Sequence, residues 1–365
     1  MKRYFVGLST LAVCLRVTVG SDIPSTTVEP GATELVNITV FQAGVAFAPQ
    51  PLPVPFAASK GECIVSAFVN IGRTTSWTLV KKIDFGSFVE PEGIVRIGED
   101  RYFVSHNEYY ERTVKFPEVI NGTDRTPGVG LGFMTIIDGQ GRHIARTAMN
   151  EVGSLEYHNG GIDYDGRYIW ANIAQYRPNS TSTLVRIDPL TLHHTRIAHF
   201  ADHTGGPVHN TDTGTVTSLN WGSRNATSVN LRKIDSRAYP SFTTFGNLVR
   251  NRSYFIDYQD CKFLGRIKRF NNKPHMFCGG LTSFGGVNIG GLAVIDMETM
   301  VPRLEVPIML QSENGWLLTT NPVDVDCVDG KLQAYFFPDQ EVNNATLYAY
   351  EADPQSPFEF GGGKQ

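Results

Sequence analysis

The chain has 365 residues, 41% of them hydrophobic and 11% aromatic, with only 19% charged and a formal net charge of −4. So low a charged fraction excludes a solvated disordered chain, and Ala, Glu, Lys, Leu and Arg never dominate as they would in a coiled coil. With 36 glycines, 20 prolines and abundant Thr, Val and Ile, the composition points to many short strands joined by turns, and the length suffices for one large domain or two ordinary ones.

Lys2 and Arg3 precede an apolar run from Tyr4 to Val13, and Thr18 and Gly20 offer small residues for cleavage. Residues 1–20 therefore read as a secretory signal, too short to span a bilayer. Its removal leaves 29 basic against 36 acidic residues, a balance of −7 that argues against a nucleic-acid partner. No later segment is a long enough apolar run to cross a membrane. Residues 21–59 read as an N-terminal extension, 60–354 as one domain and 355–365 as a flexible tail. Six Asn-x-Ser/Thr sequons, at Asn37, Asn121, Asn179, Asn225, Asn251 and Asn344, suggest a glycosylated, extracellular surface. Cys14 leaves with the signal. The four remaining cysteines, Cys63, Cys261, Cys278 and Cys327, suit two disulfides in an oxidising compartment, with three connectivities open.

An apolar residue followed by Asp and a turn recurs at Ile83-Asp84, Ile137-Asp138, Ile187-Asp188, Ile234-Asp235 and Ile295-Asp296, with Ala352-Asp353 a degenerate sixth. The intervals are 54, 50, 47, 61 and 57 residues, and each Asp can hold its turn through its own side chain. A second element precedes it: Pro91-Glu92-Gly93-Ile94 to Arg101-Tyr102-Phe103-Val104 aligns without a gap on His158-Asn159-Gly160-Gly161 to Arg167-Tyr168-Ile169-Trp170. Asn321-Pro322 to Lys331-Leu332 has nearly the same form. Self-similarity at this period predicts an all-β fold, a single β-propeller of six blades, with five as the alternative. Within such a ring, Cys261 and Cys278 flank the turn residues Asn271 to Pro274 and can face each other across one hairpin. Cys63 and Cys327 would then fasten the first blade to the last.

Residues that open the repeats can converge on the central tunnel. In order they are Glu92; His158 with Asp163; His203; then His209 and Asp212; then Asp257, Gln259 and Asp260; and finally Asn321, Asp324 and Asp326. His-x-Gly-Gly occurs twice, at His158 and His203, where glycine lets the backbone turn sharply or approach a ligand. Imidazoles ringed by carboxylates suit proton transfer or a divalent cation. The candidate catalytic residues are thus His158, His203 and Asp260, and the candidate metal ligands Glu92, His158 and His209, holding one divalent ion. His106 and Glu108 end a strand, and the run Trp170, Tyr176, Arg177 can line a sugar or aromatic pocket, so these five are candidate substrate contacts. An Asp or His at a strand start also serves simply to satisfy backbone amides at a blade corner.

His158-Asn159-Gly160-Gly161-Ile162-Asp163-Tyr164-Asp165-Gly166, with Ile169-Trp170 and Tyr176-Arg177-Pro178-Asn179-Ser180, resembles a family of secreted microbial proteins catalogued as a domain of unknown function. Thr211 to Thr215, Trp221 to Arg224 and Asp257 to Cys261 resemble the same family, and the likeness covers most of residues 60–352. It implies a propeller and an extracellular location. Pro91-Glu92-Gly93 is distantly similar to the metal-ligand opening of calcium-dependent lactonase-type six-bladed propellers, although histidines stand where that group would use Asn or Asp. The expectation is a secreted, glycosylated propeller that binds a small molecule or glycan at its tunnel mouth, as a metal-assisted or His/carboxylate hydrolase or lyase. A natural-product cyclase or isomerase and a non-enzymatic recognition scaffold are the alternatives.

Overall fold

The computed structural model describes residues 38–72, 75–234, 248–250 and 255–353. The signal reading, the tail, the sequons Asn37 and Asn251 and the Asp235 turn lie outside them.

Five antiparallel sheets of four or five strands follow one another around a ring, with neighbouring strands paired in simple meanders. The inner strands are Glu90–Arg96, His158–Tyr164, Thr204–Asn210, Asp257–Ile267 and Val323–Val328, which we number blades one to five. The blade count is therefore five and not six. In blades one, four and five the Ile/Ala-Asp motif ends the third strand, at Asp138, Asp296 and Asp353, and in blade two Asp188 directly follows it. Ile83-Asp84 lies instead in Ser76–Phe88, the outermost strand of blade five, which pairs with Val342–Asp353 and closes the ring with chain from its own start. Four of the motif aspartates hold their turns as expected: Asp84 accepts from the amide of Gly86, Asp138 from those of Gln140 and Arg142, Asp188 from Leu190, and Asp296 from Glu298 and Thr299.

Alternating strands bury their apolar residues in the seams between blades. Val95, Phe103 and Ile136 of blade one meet Ile162, Ile169 and Val185 of blade two. Ile83 and Leu347 of blade five meet Ile94 and Val104 of blade one. The seam between blades four and five also takes in Ile64, Val65 and Phe68 from the helix Gly61–Phe68. That helix and the short one before it, Phe56–Ser59, close one end of the tunnel. Lys60 reaches in to Asp326 at 2.7 Å, and a cavity of about 320 Å³ remains beside them, against Leu264 to Arg266.

Both expected disulfides are present. Cys261–Cys278 crosses the inner hairpin of blade four, at positions directly opposite in the ladder. Cys63–Cys327 ties the helix, rather than a first blade, to the inner strand of blade five. Ring closure itself falls to the strand Ser76–Phe88. Ile38–Val40 adds a fifth strand to the outer edge of blade one.

Candidate functional site

Four of the five inner strands carry a β-bulge: at Glu92, at Gly160-Gly161, at Gly206-Pro207 and at Gln259. Glycine at or beside these bulges lets the inner strands touch. A Cβ on Gly93 would come within 2.6 Å of the Ile162 amide, and one on Gly161 within 2.5 Å of the Gln259 carbonyl. Gly93, Gly161 and Gly206 thus serve strand-to-strand approach across the axis and close the tunnel. The residues just before them, Glu92, His158 and His203, stand above that floor.

Below the floor the tunnel is filled by acidic side chains that serve the backbone. The Asp260 carboxylate accepts from the amides of Ile94, Ile162 and Val323, on blades one, two and five, and from Lys262 Nζ. Asp163 accepts from His209 N and Phe263 N, and Asp324 from Arg96 N. Arg96, fully enclosed, pairs with Asp324 and Asp326. Asp260 is thereby a structural bolt with no exposure to a ligand. Burial pushes its carboxyl up to about 6 against the opposing pull of Lys262, and pushes Asp163 up to about 8.

Above the floor lies a different arrangement. Glu90, Glu92 and His158 each present one ligand-capable atom within 4.8 Å of the others, and all three are buried. Glu90 Oε1 accepts from the Tyr176 hydroxyl at 2.9 Å, while Glu90 Oε2 makes no well-formed hydrogen bond, the Asn107 side chain lying close enough to favour the charged carboxylate. Glu92 Oε1 accepts from Asn321 Nδ2 at 3.1 Å. His158 Nδ1 lies 3.0 Å from Asn107 Nδ2, and its ring stacks on Tyr176 with centroids 4.3 Å apart. The His203 ring lies 5.7 Å from that of His158, is held by a 2.6 Å contact of Nδ1 with the Gln175 carbonyl, and meets Trp221 edge-on.

The electrostatics follow from burial. Loss of water raises the Glu90 carboxyl to about 7 and lifts Glu92 well above the usual carboxylate range, with the Glu90 and Asp260 charges adding to it. The same loss depresses both imidazoles, His158 well below its ordinary value and His203 to about 4. A carboxyl kept protonated beside an imidazole kept neutral is the separation of acid from base that proton-transfer sites use.

The site is roofed by a hairpin inserted between the second and third strands of blade one, Lys115–Ile120 and Thr123–Arg125. Its Arg125 lies 4.7 Å over Trp221 and 5.8 Å over Tyr176 while bound to Asp124. The Asn179 side chain donates to Gly122 O at the hairpin tip.

Of the residues expected from sequence, Glu92, His158, His203 and Tyr176 converge here. His209 does not. It pairs with Asp165 at 2.7 Å, in contact with Trp170, whose indole donates to the same carboxylate in the seam between blades two and three. His106 is buried against Phe88 and Phe133 and bonded to Thr135, with burial depressing it to about 3. Glu108 faces outward to Arg146, and Arg177 braces the Gln175 side chain. Sequence reasoning missed Glu90, Trp221 and Arg125 as parts of the site. Glu90 was findable, since strand alternation puts it on the face of Glu92; it also stands opposite Asn107 in the ladder.

Solved structures similar to this chain share little sequence with it. A calcium-binding regucalcin from Agrobacterium tumefaciens is 8% identical, with a TM-score of 0.41 over 76% of this chain and 96% of that one. A gluconolactonase from Xanthomonas campestris is 11% identical, with a TM-score of 0.40 over 86% and 99%. A luciferin-regenerating enzyme is 10% identical, with a TM-score of 0.39 over 76% and 95%. No curated protein matches the sequence. The sequence model of a family of unknown function (DUF6454) matches residues 53–355, most of the chain, and the chain belongs to that family.

Proposed function

We propose that the chain is a secreted propeller that binds a small, oxygen-rich molecule, such as a sugar derivative, above the tunnel floor and acts on it as a hydrolase or lyase by proton transfer. The observation that carries this reading is the convergence of His158, His203, Glu90 and Glu92. All four are buried, and each is oriented by one neighbour, above a tunnel whose other acidic groups are spent on the backbone. Tyr176, stacked between His158 and Tyr109, and Trp221 beside His203 form an aromatic wall at the site. Two disulfides support secretion, and among the described sequons Asn121, Asn179 and Asn344 are exposed for glycans. Among the described residues no helix is long and apolar enough to cross a membrane.

A second reading is favoured by the ligand-capable atoms of Glu90, Glu92 and His158 lying within 4.8 Å of one another, with Glu90 Oε2 making no well-formed hydrogen bond: a divalent cation held by Glu90 and Glu92 beside His158. Such an ion would polarise a substrate oxygen.

The test is a screen of lactones, uronates and glycosides with the secreted chain after dialysis against a chelator. Turnover that survives chelation and falls by about 10²-fold or more in H203Q and E92Q, with melting unchanged, is the expected result. Turnover lost on chelation and restored by one divalent metal moves the assignment to the second reading. Turnover indifferent to both variants overturns the site.

A further inference from the structure

We propose that His158 and His203 are held in opposite tautomers, His158 as hydrogen-bond donor and His203 as proton acceptor, and that Asn107 is the positioning residue that sets the donor. This rests on the mouth being the reacting site and assigns the roles within it.

Asn107 Oδ1 accepts the backbone amide of Asn159 at 2.7 Å. A backbone N–H can only donate, so that side of the Asn107 amide is its oxygen, and the side facing His158 Nδ1 at 3.0 Å is its NH₂. A ring nitrogen facing an NH₂ holds a lone pair. The single proton of neutral His158 therefore sits on Nε2, on the side of Glu92 Oε1, 4.0 Å away. His203 has the reverse support. Its Nδ1 lies 2.6 Å from the Gln175 carbonyl oxygen, which only accepts, so Nδ1 carries the proton and Nε2 the lone pair. The two rings stand side by side with centroids 5.7 Å apart. The Asn159 amide that fixes the first tautomer belongs to the residue after His158, on the strand that begins the His-Asn-Gly-Gly motif, so the motif carries its own orienting donor.

The roles follow. His203 Nε2 takes a proton from the attacking water or substrate hydroxyl and returns it to the leaving oxygen. His158 Nε2–H keeps its proton and hydrogen-bonds the oxygen on which negative charge develops. A ring with hydrogen on Nε2 offers no lone pair there, so His158 in this state is not a metal ligand through Nε2.

The test is long-range ¹H–¹⁵N spectroscopy of the full chain labelled at histidine nitrogen, at neutral pH, with assignments from H158Q and H203Q. The expected spectrum shows His158 unprotonated at Nδ1 and His203 unprotonated at Nε2. The same tautomer in both rings, or a protonated ring, overturns the proposal whatever the variants do. In N107D an acceptor replaces the NH₂, and His158 is expected to move its proton to Nδ1 or to become charged. An unchanged His158 signature in folded N107D removes Asn107 from the role. On any compound turned over, H203Q is expected to lose about 10²-fold or more, and N107D to alter the pH profile of turnover. Opposite tautomers with H203Q fully active overturn the catalytic reading of the mouth and leave the tautomers standing. Matching tautomers with H203Q inactive do the reverse.

Discussion

Asp260 Oδ1 accepts a hydrogen bond from Lys262 Nζ at 2.6 Å, two residues along one inner strand, with both side chains shut off from water at the axis of the ring. Three backbone amides from blades one, two and five share the same carboxylate. Replacement by alanine would strand all three amides and leave a buried ammonium with only the Ile162 and Cys261 carbonyls. D260A is therefore expected to cost about 3–5 kcal/mol, read as a lower urea midpoint. D260N, which keeps one acceptor oxygen, should lose less. A D260A midpoint equal to wild type would release Asp260 from its structural role and return it to the candidates for catalysis.

The motif glycines give a sharper contrast, because the two positions within the motif are not used equally. At Gly161 an added Cβ would meet the Gln259 carbonyl at 2.5 Å and Asp260 Cα at 2.9 Å, both on the inner strand of blade four across the axis. At Gly205, the first glycine of the second copy and the counterpart of Gly160, nothing lies within 4 Å, whereas Gly206, the counterpart of Gly161, would meet the same Gln259 carbonyl at 3.0 Å. G161A is expected to cost about 3 kcal/mol, since backbone on both sides must shift, while G205A should stay close to wild type. Equal effects in urea unfolding would show that the strands do not meet at the first copy as described.

The difference between those two glycines shows where sequence stops speaking. The turn motif revealed repeating strands, because a side chain holding its own following turn is a local matter. It overcounted the blades by one, because Ile83-Asp84 lies in a strand that joins the last blade from the far end of the chain, a long-range pairing that leaves no mark in the local pattern. The residues opening the repeats did not correct the count, since Glu92, His158, His203, Asp257 and Asn321 stand one to a blade at or beside the start of its inner strand, while His209 lies farther along the third inner strand and Asp212 just past it, and neither opens a strand of its own. They did not divide themselves into those above the floor and those below. Asp163 and Asp260 share the composition of the site and differ only in which amides they meet. Arg125 was hidden for another reason, since it arrives on an insertion that obeys no repeat.

The carboxyls and imidazoles of the mouth should bend the stability profile in opposite senses. Glu90 titrates near 7 in the folded chain against an ordinary 4.5, so the folded form keeps a proton that the unfolded chain releases, and stability falls as pH rises through that window. His203 titrates near 4 against 6.5, so the unfolded chain binds the extra proton and stability rises with pH between those values. Each slope is at most about 1.4 kcal/mol per pH unit. The urea stability of wild type minus that of E90Q should decline with pH and flatten above 7, whereas wild type minus H203Q should climb and flatten above 6.5. Two flat difference curves would mean that water reaches the mouth freely.

The two disulfides separate stability from the site. Cys63–Cys327 spans 264 residues of sequence and ties the helix Gly61–Phe68 to blade five at the end of the tunnel opposite the mouth. Cys261–Cys278 spans 17 and lies within one hairpin. In the chain-entropy account the long link restricts the unfolded chain by about 5 kcal/mol and the short one by about 3 kcal/mol. C63S/C327S is therefore expected to lose more stability than C261S/C278S in urea, with peptide maps under non-reducing conditions showing the remaining pair intact. Because the helix plug touches neither His158 nor His203, the long-link variant should keep the histidine tautomers of the wild type. A change in those resonances on cutting Cys63–Cys327 would mean that the two ends of the tunnel are coupled through the column of charges that Asp260 and Arg96 hold between them.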